Sequence, residues 1–218
     1  MTATIKIIKN GLSLHTSGLL DSNGHELRAT VSQPRLLAGC ENFLCHAIER
    51  ITIKHRPIEP DDPIRYGYWA TCGALAADGY LDFHEPVPAC PTFGLEEQSG
   101  VDACVTYWEE QHATCRSVQA VFTPPGPEQL IVISDGVYEG DEVQGVRYAS
   151  PPHMSGWWIT TDRYDDDIAS LKTVHACHVT AARPELARYL ALPPGWRFDT
   201  AWNDIAFDPE ASRLGQEG

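Results

Sequence analysis

The chain has no apolar run long enough to cross a membrane, no Cys-x-x-Cys pair and little positive charge. The first lack leaves no membrane-spanning segment to expect. The opening residues, MTATIKIIKNGLSLHT, also show neither the charged-then-apolar pattern nor the small-residue cleavage site of a secretory signal, and read as a first strand. Seven cysteines, an odd number, without paired spacing argue against a disulfide frame. Cys40, Cys45, Cys104 and Cys115 fall at helical core spacings, so reduced, buried thiols in a cytoplasmic protein are the expectation. Lys and Arg number 16 against 30 Asp and Glu, a formal net charge of −14. Such a surface repels nucleic acid but attracts and steers a basic protein.

Catalytic signatures are equally sparse. Ser134-Asp135-Gly136 and Ser155-Gly156 lack the flanks of a nucleophile elbow. The adjacent pairs Asp61-Asp62, Glu96-Glu97 and Asp141-Glu142 would point opposite ways on a strand, which does not suit shared acid–base work. His175-Ala176-Cys177-His178 is the one cluster that a metal or thiol enzyme could use. Zinc needs three or four ligands, and no second pair with ligand spacing accompanies it. A Cys–His nucleophile would need an oxyanion donor nearby in space. The expectation is therefore no enzyme, no metal and no cofactor, with an enzyme centred on His175, Cys177 and His178 as the alternative. A general peptide-binding scaffold is the other.

What the chain does have is a segment dense in binding-type side chains. Residues 145–198 carry Trp157, Trp158 and Trp196, Met154, three histidines and the acidic triplet Asp165, Asp166 and Asp167. Tryptophan is a frequent interface anchor. In a strand only one of Trp157 and Trp158 can face the core, leaving the other as an anchor or packed under the Pro151-Pro152 loop. His153 and Met154 precede them on a loop. The run from Asp162 to Asp167, with Arg163 and Tyr164 inside it, would form a charged rim against a basic partner.

The same segment resembles a known family. Gly145 to Tyr148 (GVRY), Pro151 to Trp158 (PPHMSGWW), His175 with His178, and Tyr189 to Phe198 (YLALPPGWRF) are similar to a C-terminal module of bacterial immunity proteins. The resemblance implies a protein that neutralises a contact-delivered polymorphic toxin, of the kind associated with type VI secretion, by tight non-catalytic binding. The implied partner is a cognate toxin or effector with a basic surface; neither nucleic acid nor membrane is expected. Candidate contacts are His153, Met154, Trp157, Trp158, Tyr164, Asp165, Asp166 and Asp167. The string around Pro193-Pro194-Gly195 reads as structural, since it fixes a turn that sends Trp196 and Phe198 inward. The resemblance does not reach residues 1–125, and nothing in the sequence fixes the oligomeric state.

The predicted fold is α+β, with mixed, mainly antiparallel sheets and a few packing helices in two small subdomains. The proline-rich break at Thr123 to Gln129 sets expected domains of 1–125 and 126–218, of net charge −6 and −8. The tail 209–218 is expected to be flexible. In the first half the pattern predicts a hairpin at Lys9-Asn10-Gly11, a strand at Glu26 to Val31, and a helix capped by Ser32 running to Ile51. Strands at 64–72 and 79–84 and a helix at 101–118 follow. In the second half, strands are predicted at 130–134, 143–148 and 157–161, a helical turn at 165–171, extended chain at 174–179 and a short helix at 183–190.

Overall fold

A computed structural model describes residues 4–87 and 96–214. Cys90 and the last four residues of the tail lie outside the described residues. The chain forms two compact units, Met1–Glu109 and Glu110–Gly218, and residues 123–129 lie within the second.

Unit 1 is built on a seven-stranded sheet. Its first strands, β1 (Lys6–Asn10) and β2 (Ser13–Ser17), form a hairpin in which Gly11 takes φ 63°. The short helix α1 (Leu20–Asn23) ends on Gly24 in the left-handed region, and β3 (Glu26–Thr30) then returns along β2. Helix α2 (Leu37–Thr52) buries Cys40, Phe43, Leu44, Ala47 and Ile51 at 3-4 spacing. Strands β4 (Ile64–Tyr66), β5 (Trp69–Leu75), β6 (Tyr80–Pro86) and β7 (Glu97–Ser99) follow, giving the order β1-β2-β3-β6-β5-β4 with β7 on β6. All pairings are antiparallel except β3 with β6. Phe43 meets Phe83 edge-on at 4.9 Å, joining α2 to the sheet.

Helix α3 (Asp102–Ser117) begins where the buried Glu85 carboxylate accepts the amides of Ala103 and Cys104, both at 2.8 Å. Two expectations change in this unit. Ser32 is not the cap of α2: Pro34–Leu36 forms a 3-10 turn first, and the Ser32 amide and hydroxyl donate to Asp102 instead. Cys45 is exposed rather than buried, because five residues after Cys40 it has rotated away from the packed face.

Unit 2 has a six-stranded sheet of order β11-β8-β10-β9-β12-β13. Its strands are β8 (Leu130–Ile133), β9 (Gln144–Arg147), β10 (Met154–Thr160), β11 (Lys172–His175), β12 (Trp196–Asp199) and β13 (Asp204–Phe207). Only β8 and β10 run parallel. Both sheets are thus mixed and mainly antiparallel, as an α+β fold requires. Helix α4 (Ala176–Ala182) and a 3-10 helix at Pro184–Tyr189 supply Val179, Leu186 and Tyr189 to the core, and Leu190 follows them there.

The expected extended stretch 174–179 stops at His175, opposite Leu130 where β8 begins; α4 starts at the next residue, and the amides of Ala176 and Cys177 still donate to the carbonyls of Gln129 and Pro127. The predicted turn at 165–171 narrows to a 3-10 turn at Ile168–Ser170, capped by Asp167 through the Ala169 amide. Helix α5 (Pro209–Leu214) forms in the tail, with the Asp208 carboxylate accepting the amides of Glu210 and Ala211 and with Ala211 buried. Asp followed by Pro at the first helical position is a helix-start signal, and it outweighs the polar composition.

Candidate functional site

The resembling strings meet in the core of unit 2. Arg147 of GVRY is 6% exposed and, among the described residues, has no carboxylate partner. Its guanidinium donates to four backbone carbonyls: Ser155 at 2.9 Å, Thr123 at 2.6 Å, Leu190 at 3.1 Å and Leu192 at 2.5 Å. Burial pulls its pKa down to about 10. Trp157 is fully buried, donates its indole N–H to Leu190 at 3.0 Å and lies against Phe198, which stacks on Tyr189 at 4.2 Å. Gly145 must be glycine, since a β-carbon would collide with the Phe198 ring. The Gly195 amide closes the cluster on the Arg147 carbonyl at 2.7 Å. GVRY, GWW and YLALPPGWRF therefore form one packed scaffold, and Trp157 has no ring surface to offer a partner.

The pleat sends Trp158 to the other face. Cross-strand register puts Thr173, Val132, Trp158, Val146, Arg197 and Ala206 in one row across all six strands. Trp158 is half-buried there, edge-on to Tyr148 at 6.2 Å.

At the Thr160 end of the sheet three connections gather: residues 134–143 between β8 and β9, 161–171 between β10 and β11, and 200–203 between β12 and β13. They are tightly braced. Arg163 pairs with Asp141 at 2.7 Å and Lys172 with Asp135 at 2.6 Å, tying the first two loops together. The Thr161 hydroxyl donates to the Asp135 carbonyl at 2.6 Å. Arg183 holds the first loop from beneath through the carbonyls of Val137 and Asp141. The Thr200 hydroxyl donates to Glu142 and accepts the Val143 amide, joining the third loop to the first. Gly136, at φ 91°, sits where a β-carbon would press on Asp141 and Thr161.

Each loop presents one large exposed side chain: Tyr138 at 42%, Ile168 at 70% and Trp202 at 82% exposure. Around them stand Glu139, Glu142, Asp162 and the triplet Asp165 to Asp167, so the apolar tips sit in an acidic field. Asp165 accepts the Asp167 amide, and Asp166 takes φ 62°, which fixes the triplet as a tight turn. Sequence reading missed Tyr138, Ile168 and Trp202. The signal for Trp202 was present: a lone tryptophan between Thr200 and Asp204 in a polar turn has no core-facing register to occupy.

Of the expected contacts, Tyr164 and Asp165 to Asp167 lie on this end of the sheet, and Trp158 is mid-strand on the outward face. Met154 stands at the opposite end of β10, six residues or about 20 Å from Thr160, and His153 precedes it. They do not join the acidic loops.

His175 and His178 do approach each other, ring centroids 5.3 Å apart. Among the described residues no group of three or more His, Cys, Asp or Glu is placed to hold a metal ion. Cys177 is buried, and burial raises its thiol pKa, the opposite of what an activated nucleophile needs.

The tightly packed scaffold thus holds three cross-braced loops with exposed apolar tips at one end of the sheet. Residues 110–208, a little under half of the chain, match the family model of the Imm33-like domain. The matched range covers the scaffold and all three loops. No curated protein and no solved structure matches the chain.

Proposed function

We propose that the protein neutralises a cognate toxin domain in the bacterial cytoplasm by tight, non-catalytic binding through the acidic end of the unit 2 sheet. One observation carries this reading. Trp202, Ile168 and Tyr138 are held exposed on three loops that belong to the Imm33-like domain and are cross-linked before any partner arrives. An exposed indole on a braced turn loses little freedom on binding, which is what makes an anchor. The loops together are of the size of one side of a standard interface, about 20–30 residues. The surrounding carboxylates, Asp165 to Asp167 among them, favour a toxin with a basic surface and hasten its capture at low salt. Tyr164 lies within the patch, and Trp158 extends it along the outward sheet face.

The test is co-expression with the toxin encoded by the adjoining gene, following host growth and co-purification. Wild type is expected to restore growth and to elute with the toxin. Trp202→Ala should weaken binding at least 30-fold, the scale of a hot spot worth about 2 kcal/mol. The triple change D165A/D166A/D167A should slow association and flatten its salt dependence. A toxin captured equally well by both variants would move the interface elsewhere. A neighbour that is harmless alone and never co-purifies would remove the toxin reading itself.

A further inference from the structure

The six-stranded sheet of unit 2 ends on β13, whose sequence is DIAF. We infer that this open edge takes up a β-strand of the toxin, a segment with basic and apolar residues that extends the sheet. The inference rests on the toxin-binding reading above and adds to it the way the partner is held.

Antiparallel strands exchange their hydrogen bonds through alternate residues, so the direction of each backbone group follows from the register. The Thr200 amide donates to Val143 at 2.9 Å, and in the same register Phe198 turns its backbone groups to Gly145 of β9. Arg197 and Asp199 therefore turn theirs the other way, to Ala206 and Asp204 of β13. The Asp208 amide, donating to Gly195 at 2.7 Å, continues that alternation. Ile205 and Phe207 are left with N–H and C=O directed away from the sheet, and among the described residues neither has a backbone partner on that side.

Open edges are ordinarily blunted by lysine, proline or a bulge. The other edge of this sheet, β11, begins with Lys172, whereas β13 has none of the three. Apolar surface flanks its outward groups instead, with exposed Trp202 two residues before the strand and half-exposed Phe207 at its end. Unpaired backbone groups give an added strand its affinity, and the flanking side chains give it register. Trp202 belongs to the third of the braced loops, so the edge continues the proposed contact surface. Charge selects the occupant. From Trp196 to Arg213 the chain sets Asp199, Asp204, Asp208 and Glu210 against Arg197 and Arg213, with Arg197 3.6 Å from Asp204. A second copy, in the antiparallel register that puts Ile205 opposite Phe207, would bring Asp204 against Asp208 at both ends, and like charges directly opposite are destabilising. A toxin strand with Lys or Arg opposite Asp204 and Asp208 and an apolar residue opposite Ala206 meets no such repulsion.

The test follows backbone amide exchange by NMR in the full chain, free and bound to the toxin encoded by the adjoining gene. In the free protein the Ala206 amide should already be protected and those of Ile205 and Phe207 should exchange freely. In the complex the latter two should slow by about 100-fold or more. Ile205→Pro removes an outward N–H that β12 does not use, at a position where an edge strand accepts proline. It should weaken capture about tenfold or more, the scale of one carbonyl left without its donor. Ile205→Ala keeps the amide and should lose much less. Equal capture by the proline and alanine variants overturns the inference. Toxin bound tightly while Ile205 and Phe207 still exchange freely overturns it too, and leaves the immunity reading standing with the loop tips as the contact. Protection of the two amides in the free protein also overturns it, a dimeric mass by light scattering then assigning the edge to a second copy. A toxin that is never captured removes both readings.

Discussion

Replacing Arg147 with methionine removes the one group that joins the Thr123 segment, β10 and the turn after the 3-10 helix. Methionine keeps most of the stem's packing, so the change reads the hydrogen bonds rather than a cavity. Four carbonyls lose a donor, but Leu190 keeps the Trp157 indole. The carbonyls of Thr123, Ser155 and Leu192 lose the charged donor, at about 1–3 kcal/mol for each left unsatisfied. Against that total of roughly 3–9 kcal/mol stands the recovered cost of burying an unpaired guanidinium, itself several kcal/mol. The net expectation is a loss of about 3 kcal/mol, near the low end of what breaking a buried charged contact costs. In a unit of this size that lowers the melting midpoint by roughly 10–15 °C. Urea unfolding combined with amide exchange in β9 and β10 would report unit 2 separately from unit 1. Arg147→Lys should fall between, since an ammonium has three donors and cannot serve four acceptors. A stability within about 0.5 kcal/mol of wild type for R147M would refute the account, because it would mean the carbonyls find other donors at no cost.

Further expectations follow from the same physics. Burial raises the Glu85 carboxyl to about 7, while the amides of Ala103 and Cys104 and the Gln98 side chain pull the other way. The folded state therefore holds a proton that the unfolded chain releases near 4.5, so the stability from this group is full below that pH and is lost as pH rises through about 7. Urea midpoints between pH 5 and 8 should fall by the equivalent of about 3 kcal/mol, and Glu85→Gln should flatten that slope; an unchanged slope would count against it. Gly136→Ala should cost about 2–4 kcal/mol, from the left-handed backbone and the clash with Asp141 and Thr161. Because it loosens two loops at once, it should also speed toxin dissociation; a Gly136→Ala protein of wild-type stability would show that the brace is compliant.

Elements whose residues carry their own signal were legible in the sequence. Helix α2 announced itself through Cys40, Phe43, Leu44, Ala47 and Ile51, and the first hairpin through Asn10-Gly11, because periodicity and turn chemistry are local. The Asp208-Pro209 start of α5 was local too, yet the polar composition around it obscured it. What could not be read were the features set by pairing: the change from β11 to helix at His175, and the gathering of three loops at one end of the sheet. That gathering depends on β8 and β10 running parallel, which no single segment encodes. It separates His153 and Met154 from Asp165 to Asp167, although they are close in sequence, and brings Trp202 near them from far along the chain.

The division between scaffold and loops separates most of the resembling strings from the proposed contacts. Arg147, Trp157, Leu190, Gly195 and Phe198 satisfy one another's hydrogen bonds and volumes, so each constrains the rest. A string held by such mutual dependence stays recognisable. Trp202, Ile168 and Asp166 touch little inside the unit and can change at small cost to the fold, provided Arg183, Thr200 and Gly136 keep the loops in place. The proposed role as a toxin inhibitor suits this arrangement of a fixed frame and replaceable tips. Exchanging the tips while leaving the braces intact should redirect binding without unfolding the protein, whereas exchanging the braces should abolish binding to any toxin.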